Sequence, residues 1–280
     1  MRLPDPYARQ LPPVLAQAFA EDLPDLTSAA VFGDEVRARA ALVAKAEGVV
    51  CGVPAFAAAF AFLDAESEVE IAFDDGARVA PGDVVARVSG RARCMMAAER
   101  TALNLVCHLS GVSTLTRRFV DAVAGTRCAV MDTRKTTPGW RVLEKYAVRC
   151  GGGTNHRLGL FDTAMLKDTH IAAAGSITAG VERIRARWGE AVPLVVECAS
   201  LDDVREALRC EVKHLLLDNM DTEALREAVM VTAGRALLEA SGGVRLDTVR
   251  EIAATGVDFV SAGALTHSAP ALDLSLKVEP

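Results

Sequence analysis

Hydrophobic and polar positions follow two different patterns along the chain. Residues 35–93 show short runs typical of β-strands, separated by turn signals at Asp-Gly (75–76) and Pro-Gly-Asp (81–83). Between residues 95 and 124, apolar side chains recur every three or four positions, which predicts one long helix ending at Gly125. The first part of the chain is therefore predicted to be a β-rich module followed by a helix.

A regular rhythm of strands and helices follows. Short apolar runs recur at CAVMDTRK (128–135), TAMLKD (163–168), PLVVECAS (193–200), HLLLDN (214–219), ALLEASGG (236–243) and FVSAGAL (259–265). Amphipathic segments lie between most of them, and the predicted helix boundaries are Ser200 with Asp203, Asp221, Asp247, Gly234 and Gly256. Strands that alternate with helices in this way form βα units around a parallel sheet. The pattern predicts an open, incomplete TIM-like α/β barrel.

Two domains are expected from these patterns. Residues 1–110 are predicted to be an α/β N-terminal domain, built from the β-rich module plus helices. Residues 111–280 are predicted to be the α/β barrel that carries the chemistry, and their C-terminal segment is a candidate to return to the N-terminal domain.

Composition excludes several classes of protein. A net charge of −6 argues against nucleic-acid binding, which needs a basic face. Seven scattered cysteines without a CxxC pair indicate reduced, buried thiols rather than a metal or disulfide framework. The apolar run at 53–65 is too short to span a membrane, and the N-terminal sequence lacks a signal-peptide pattern. We expect a cytoplasmic protein.

The ends of the apolar runs carry the candidate chemistry. Each run ends in a charged residue or a glycine, and the C-terminal edge of a parallel barrel is where its active site lies. Residues 134–167 hold seven basic residues against two acidic ones, in a protein of net negative charge. Arginine offers a planar fork and lysine a point charge for carboxylate or phosphate. The sequence therefore predicts a local anion-binding site.

Three of these basic residues have a simpler explanation. Arg141, Lys145 and Arg149 are spaced by four, which is typical of a solvent-exposed helix face. That explanation does not suit the basic residues at strand ends.

Glycines and acids complete the candidate site. EASGG (239–243) and SAGAL (261–265) each follow a strand, where bare backbone N–H groups can hold a phosphate. Glu197 and Asp218 end two other strands and suit hydroxyls, a metal ion or a developing positive charge.

Several long motifs together resemble one family. DTRKTTPGWRVLEKYAVRCGGGTNHRLGLFDTAMLKDTHI, LLLDNM, EASGG and GVDFVSAGALTHSAPALDLSL are similar to nicotinate-nucleotide pyrophosphorylase (carboxylating), also called quinolinate phosphoribosyltransferase. The similarity runs from about residue 10 to the C-terminus. It implies phosphoribosyl transfer from PRPP to quinolinate with loss of CO2, giving nicotinate mononucleotide and pyrophosphate for NAD biosynthesis. It also implies a homodimer in which each N-terminal domain caps the partner's barrel.

The resemblance implies a role for each matching residue. Those implied for quinolinate binding are Arg100, Arg134, His156, Arg157 and Lys167, with Arg100 lent across the dimer interface. Those implied for PRPP and its phosphate are Lys135, Ser241, Gly242, Gly243 and Gly263. The implied catalytic residues are Lys135, Lys167, Glu197 and Asp218. Glu197 and Asp218 also match the acids near the ribose and its Mg²⁺, the one cofactor expected.

The chain departs from the family pattern at two positions. Thr169 stands where the family usually has asparagine, and Val195 stands where a further acid is common. The remaining histidines, His108, His170, His214 and His267, are expected to be structural or to support the site residues. Trp140 and Tyr146 are expected to pack in the core.

Two alternative functions stay open at this point. One is a phosphoribosyltransferase that acts on nicotinate without decarboxylation, although a single carboxylate leaves the basic cluster in excess. The other is a related protein of molybdenum-uptake operons, which shares the fold and binds rather than catalyses. In that relative the LKD-H and GGG-NHR blocks differ, whereas both are largely intact here.

Overall fold

The computed structural model describes residues 7–279 in two compact units. Unit 1 comprises residues 7–117, 136–152 and 265–279, and unit 2 comprises residues 118–135 and 153–264. Both units are discontinuous along the chain, whereas the prediction from the sequence placed one boundary after residue 110. The first six residues of the predicted N-terminal domain and the last residue of the chain lie outside the described part. No helix within residues 7–279 is long and apolar enough to cross a membrane.

Unit 1 contains two sheets and several helices. Its elements are α1 (Tyr7–Asp22), α2 (Leu26–Val31), β1 (Arg37–Ala44), β2 (Gly48–Val49), α3 (Val53–Leu63), β3 (Glu68–Ile71), β4 (Arg78–Val79), β5 (Val84–Arg91), the first part of α4 (Ala92–Ala122), and α5 (Arg141–Cys150). Near the C-terminus of the chain, α11 (Ala264–His267) leads to β12 (Leu274–Glu279).

The main sheet of unit 1 is antiparallel, in the order β12-β1-β5-β3. Its inner strand β1 is exposed at its start but buried from Ala40 to Leu42 and again at Ala44, so the second half of the strand is covered on both faces. The last strand of the chain pairs with β1 along its whole length. The C-terminal segment therefore completes the sheet of unit 1.

Helix α5 corrects one expectation. The spacing of Arg141, Lys145 and Arg149 predicts a solvent-exposed face, but Lys145 is only 2% exposed. Its neighbour Glu144 is fully buried and is bound by His108 Nε2 at 2.8 Å and by the Thr137 backbone N–H at 3.1 Å. The helix buries most of its circumference, which a spacing of four residues cannot reveal.

Unit 2 alternates strands with helices. Its elements are β6 (Ala129–Met131), β7 (Ala164–Leu166), α6 (Asp168–Ala174), α7 (Ile177–Trp188), β8 (Leu194–Cys198), α8 (Leu201–Arg209), β9 (His214–Asp218), α9 (Thr222–Thr232), β10 (Leu237–Ser241), α10 (Val249–Ala253) and β11 (Phe259–Ser261). Every strand coincides with an apolar run predicted from the sequence.

The six strands form a parallel sheet in the order β6-β11-β10-β9-β8-β7. Strands that follow each other in the chain are neighbours except β6 and β7, so the barrel is open at that point. This confirms the predicted open α/β barrel. Thr154 forms a single parallel bridge with Met131 of β6, on the side of β6 that faces the opening. The backbone there is thus partly paired by a loop instead of a strand.

Helix caps follow the sequence closely, with one exception. Ser200 and Asp203 form a capping box, and Asp221 accepts hydrogen bonds from the N–H groups of Glu223 and Ala224 at 3.1 and 2.8 Å. The predicted cap Asp247 is wrong: α10 begins after Thr248, and the Asp247 carboxylate pairs with Arg245 instead. Arg245, two residues before Asp247, is a charged partner that competes with the helix N-terminus for the carboxylate.

This difference between two aspartates is testable. We expect Asp221→Ala to lower the free energy of unfolding by about 1 kcal/mol, because two N–H groups of α9 lose their acceptor. The same substitution at Asp247 serves as a matched control and is expected to leave stability unchanged. Urea denaturation of both variants measures the two values. Equal losses would contradict the assignment of the caps.

Candidate active site

The register of the parallel sheet brings the predicted residues together at one edge. Val196 of β8 pairs with Leu166 of β7, so the next residues, Glu197 and Lys167, are level with each other. Lys167 Nζ lies 2.9 Å from Glu197 Oε2, and the two side chains are 43% and 13% exposed. The structure therefore joins these two predicted residues in one partly exposed ion pair, where the lysine retains access to solvent.

A tight turn follows the next strands. Asp218 of β9 pairs in register with Ser241 of β10, and Asn219 donates from Nδ2 to Asp218 Oδ2 at 2.7 Å. A Cβ atom added to Gly242 would lie 2.2 Å from Asn219 Oδ1, and Gly242 has a φ of 93°. Only glycine satisfies both conditions. The glycine loop is thus shaped by its packing against Asn219, and Gly243 beyond it is exposed with space around it.

Asp132 organises residues 154–156, which follow three consecutive glycines in the sequence. It follows β6, has no exposed surface, and accepts hydrogen bonds from Asn155 Nδ2 and from the backbone N–H of His156. The backbone of Thr154 completes this link. Its N–H donates to the carbonyl of Val130 in β6 at 2.8 Å, and its carbonyl accepts the N–H of Asp132 at 3.2 Å. A buried carboxylate thereby fixes the course of residues 154–156.

His156 points to a second buried carboxylate. Its Nδ1 accepts the N–H of Arg157 at 2.6 Å, which places the ring proton on Nε2, and Nε2 lies 3.2 Å from Glu239 Oε2. His214 Nε2 lies 2.9 Å from the same oxygen. Glu239 is fully buried; burial opposes its ionisation, but the close His156 and His214 rings, together with Ser261, lower its pKa to about 2.

Two arginines lie close enough to repel each other. Burial and the charge of Arg134 both lower the pKa of Arg157. Arg157 donates to the carbonyl of Thr163 at 3.0 Å and approaches the sulfur of Met165 at 3.4 Å. Neither of these two partners carries a charge. Such a pair of guanidinium groups favours an anionic ligand, because a carboxylate or phosphate relieves the repulsion.

The other predicted residues occupy varied positions. Lys135 is exposed, and its backbone N–H donates to Thr133 Oγ1 at 3.0 Å. Gly263 is half-buried, two residues after the end of β11. Arg100 is exposed on α4 in unit 1. Of the two departures, Thr169 is exposed in α6 and Val195 is buried in β8.

Sequence reasoning missed three residues on which the site depends: Asp132, Glu239 and Asn219. Each was part of a quoted motif, but none was given a role. The sequence did contain a signal for Asp132 and Glu239. An acidic residue beside or within an apolar strand is costly to bury unless it is paired, so its presence there indicates a bound partner.

An open parallel barrel with clustered cations, acids and glycine turns at its C-terminal edge is typical of α/β-barrel enzymes that bind anionic substrates. The models of the quinolinate phosphoribosyl transferase N-terminal and C-terminal domains match residues 25–110 and 112–277. The chain belongs to the quinolinate phosphoribosyl transferase family.

Individual relatives agree with this family. The chain is 43% identical to a probable nicotinate-nucleotide pyrophosphorylase [carboxylating] of Synechocystis, over 95% of this chain and 92% of the relative. It is 42% identical to the nicotinate-nucleotide pyrophosphorylase [carboxylating] of Mycobacterium leprae, over 94% and 95%. The crystal structure of NadC from Streptococcus pyogenes superposes with a TM-score of 0.93 at 40% identity, covering 97% of each chain.

The buried Glu239 makes stability dependent on pH. Its pKa is lowered from 4.5 to about 2 in the folded state, so its stabilisation is fully present above pH 4.5 and is lost as the pH falls toward 2. We expect Glu239→Gln to cost about 3 kcal/mol of unfolding free energy near pH 7. The difference from the wild type should shrink below pH 4.5. The exposed Glu47→Gln is the control, and denaturant titrations across this pH range provide the measurement. A difference independent of pH would refute the paired carboxylate.

Proposed function

We propose that the chain transfers the phosphoribosyl group of PRPP to quinolinate and releases CO2, forming nicotinate mononucleotide and pyrophosphate in NAD biosynthesis. One observation carries this proposal: the C-terminal edge of the barrel gathers charged side chains at strand ends and in the adjoining loop. These are Arg134, Arg157 and the Lys167–Glu197 pair. The relatives with more than 40% identity carry names for this reaction.

Quinolinate fits the charges at this edge. It has two adjacent carboxylates, and Arg134 and Arg157 offer two guanidinium groups whose mutual repulsion a dianion relieves. His156 keeps Nε2 on Glu239 and Nδ1 on the Arg157 N–H, so both ring nitrogens already have partners. We infer that His156 acts mainly by positioning Arg157, and that the arginines make the direct contacts.

The acids at the strand ends suit the ribose. When the pyridine nitrogen attacks C1 of PRPP, the ribose gains positive charge, which Glu197 and Asp218 stabilise electrostatically. Lys167, paired with Glu197, is placed to neutralise the departing pyrophosphate or the substrate carboxylate. The glycine turn at 241–243 offers backbone N–H groups to the 5′-phosphate. Once quaternised, the ring nitrogen stabilises the carbanion left by loss of the 2-carboxylate.

A magnesium ion is proposed to accompany PRPP. Asp218 and Glu197 supply carboxylate oxygens, the donors that Mg²⁺ prefers, and both are half-buried at the strand ends, so the residues fit this ion. When bound, Mg²⁺ supplies charge neutralisation for the pyrophosphate group.

The direct experiment is incubation of the protein with PRPP, Mg²⁺ and quinolinate, with detection of CO2 and nicotinate mononucleotide. Product formation with nicotinate in place of quinolinate would support the non-decarboxylating alternative instead. Thermal shifts with quinolinate, nicotinate and molybdate separate all three hypotheses. A stabilisation by molybdate alone would overturn the proposal in favour of a binding protein.

Loss of a cation at the site should abolish turnover. We expect Arg134→Ala and Lys167→Ala each to cost roughly 2–4 kcal/mol of transition-state stabilisation, with little change in folding stability. Lys213→Ala is the matched control, because Lys213 is exposed at the opposite end of β9 and should retain activity. Steady-state kcat/KM measures the effect. Near-normal values for either site variant would refute its assigned role.

We further propose a homodimer with shared active sites. One support is the family resemblance around Arg100. The other is that Arg100 is exposed on α4, because an arginine that binds an anion in the partner subunit must lie on the surface of its own subunit. In a symmetric dimer the same contact then occurs twice.

Complementation tests the shared site. Arg100→Ala and Lys167→Ala should each be nearly inactive alone. In a mixed dimer one site lacks both residues and the other lacks neither, so random exchange at equal amounts should restore about a quarter of wild-type activity. Exchange is verified by native mass spectrometry of differently tagged chains. Verified exchange without recovery would place Arg100 in its own subunit's site or outside the chemistry.

A further inference from the structure

Two thiols and a carboxylate from separate parts of the sequence meet in unit 1. Cys51 follows β2, Asp75 lies in the turn before β4, and Cys150 is the last residue of α5. Their sulfur and carboxylate oxygen atoms all lie within 4.8 Å of one another. Cys51 is fully buried, whereas Asp75 and Cys150 are half-buried. The cluster thus joins one fully buried residue to two half-buried ones, and none of its members takes part in the proposed reaction.

The carboxylate of this cluster is held in place by hydrogen bonds. Asp75 Oδ1 accepts the backbone N–H of Val53 at 2.9 Å, and Oδ2 accepts the hydroxyl of Tyr146 at 2.9 Å. Each carboxylate oxygen has a second acceptor direction, so these bonds leave coordination sites available. Hydrogen bonds that orient a ligating carboxylate from outside are a regular feature of metal sites.

We propose that Cys51, Asp75 and Cys150 form a binding site for one thiophilic divalent cation of the Zn²⁺ type. A tetrahedral zinc centre with two sulfur ligands and one oxygen ligand needs ligand separations of about 3.5–3.8 Å, so closure by about 1 Å brings the three atoms into position. With three protein ligands, a water molecule would complete the tetrahedron. Two thiolates and a carboxylate form a softer donor set than Mg²⁺ accepts.

Binding of the cation forms two metal–sulfur bonds, and each thiol that was protonated releases its proton to solvent. No change of oxidation state is involved.

Cobalt titration tests the site on the full chain. Reduced, chelator-treated protein is titrated with Co²⁺, and the near-ultraviolet thiolate-to-cobalt charge-transfer absorption is recorded. We expect saturation at one equivalent per chain, displacement by Zn²⁺ and no displacement by Mg²⁺. Absence of the absorption in the wild type, or formation of a Cys51–Cys150 disulfide in place of metal binding once the reductant is removed, would overturn the proposal.

Substitutions locate the ligands. Cys150→Ser and Cys51→Ser should each abolish the absorption, while Cys94→Ser, a partly buried thiol of the same unit, should retain it. Tyr146→Phe removes the hydroxyl that donates to Asp75 and also contacts Cys150, and it should weaken cobalt affinity by about tenfold. Circular dichroism verifies folding, and Cys150→Ser is decisive if the buried Cys51→Ser variant does not fold. Unchanged absorption in Cys150→Ser would place the bound metal elsewhere.

Discussion

The buried carboxylate of Glu239 is the constraint on which the site depends. It has no exposed surface, yet its oxygen receives His156 from one loop and His214 from the neighbouring strand. A carboxylate in this position is stable only while both partners hold it, because an unpaired buried charge is far more costly than a paired one. The pairing therefore ties the loop beside the open edge of the barrel to the middle of its sheet.

The contacts of Glu239 also restrict the residues next to His156. Asp132 holds Asn155 and the backbone of His156, and Glu239 holds the ring of His156, so the residue that comes next has little freedom. That residue is Arg157, which reaches the vicinity of Arg134 although the two cations repel each other. Two buried acids thus stabilise a cluster of like charges that would not assemble by itself. An acidic protein can in this way carry a small, local basic surface.

Much of this arrangement could be predicted from the sequence, and the remainder shows where such reasoning stops. The six strands of the barrel and the charged residues at their ends were predictable. Hydrophobic periodicity and the residue types at strand and helix ends are local properties of the sequence. The burial of Lys145 was not, since spacing alone does not show how much of a helix is covered. The convergence of Cys51 with Cys150 was equally hidden, because residues a hundred positions apart meet only through the sheet and helix between them.

Rigidity explains why glycine and asparagine accompany the charged residues. At position 242 only glycine leaves room for the side chain of Asn219. Asn219 in turn donates a hydrogen bond to Asp218. The glycine turn and Asp218 are therefore one mechanical unit, held together by Asn219. Preorganised dipoles and charges stabilise a transition state without paying for reorganisation during the reaction. A loop of more flexible composition would hold the same chemical groups less rigidly, so under the proposed function the packing of this turn contributes to catalysis together with the charges.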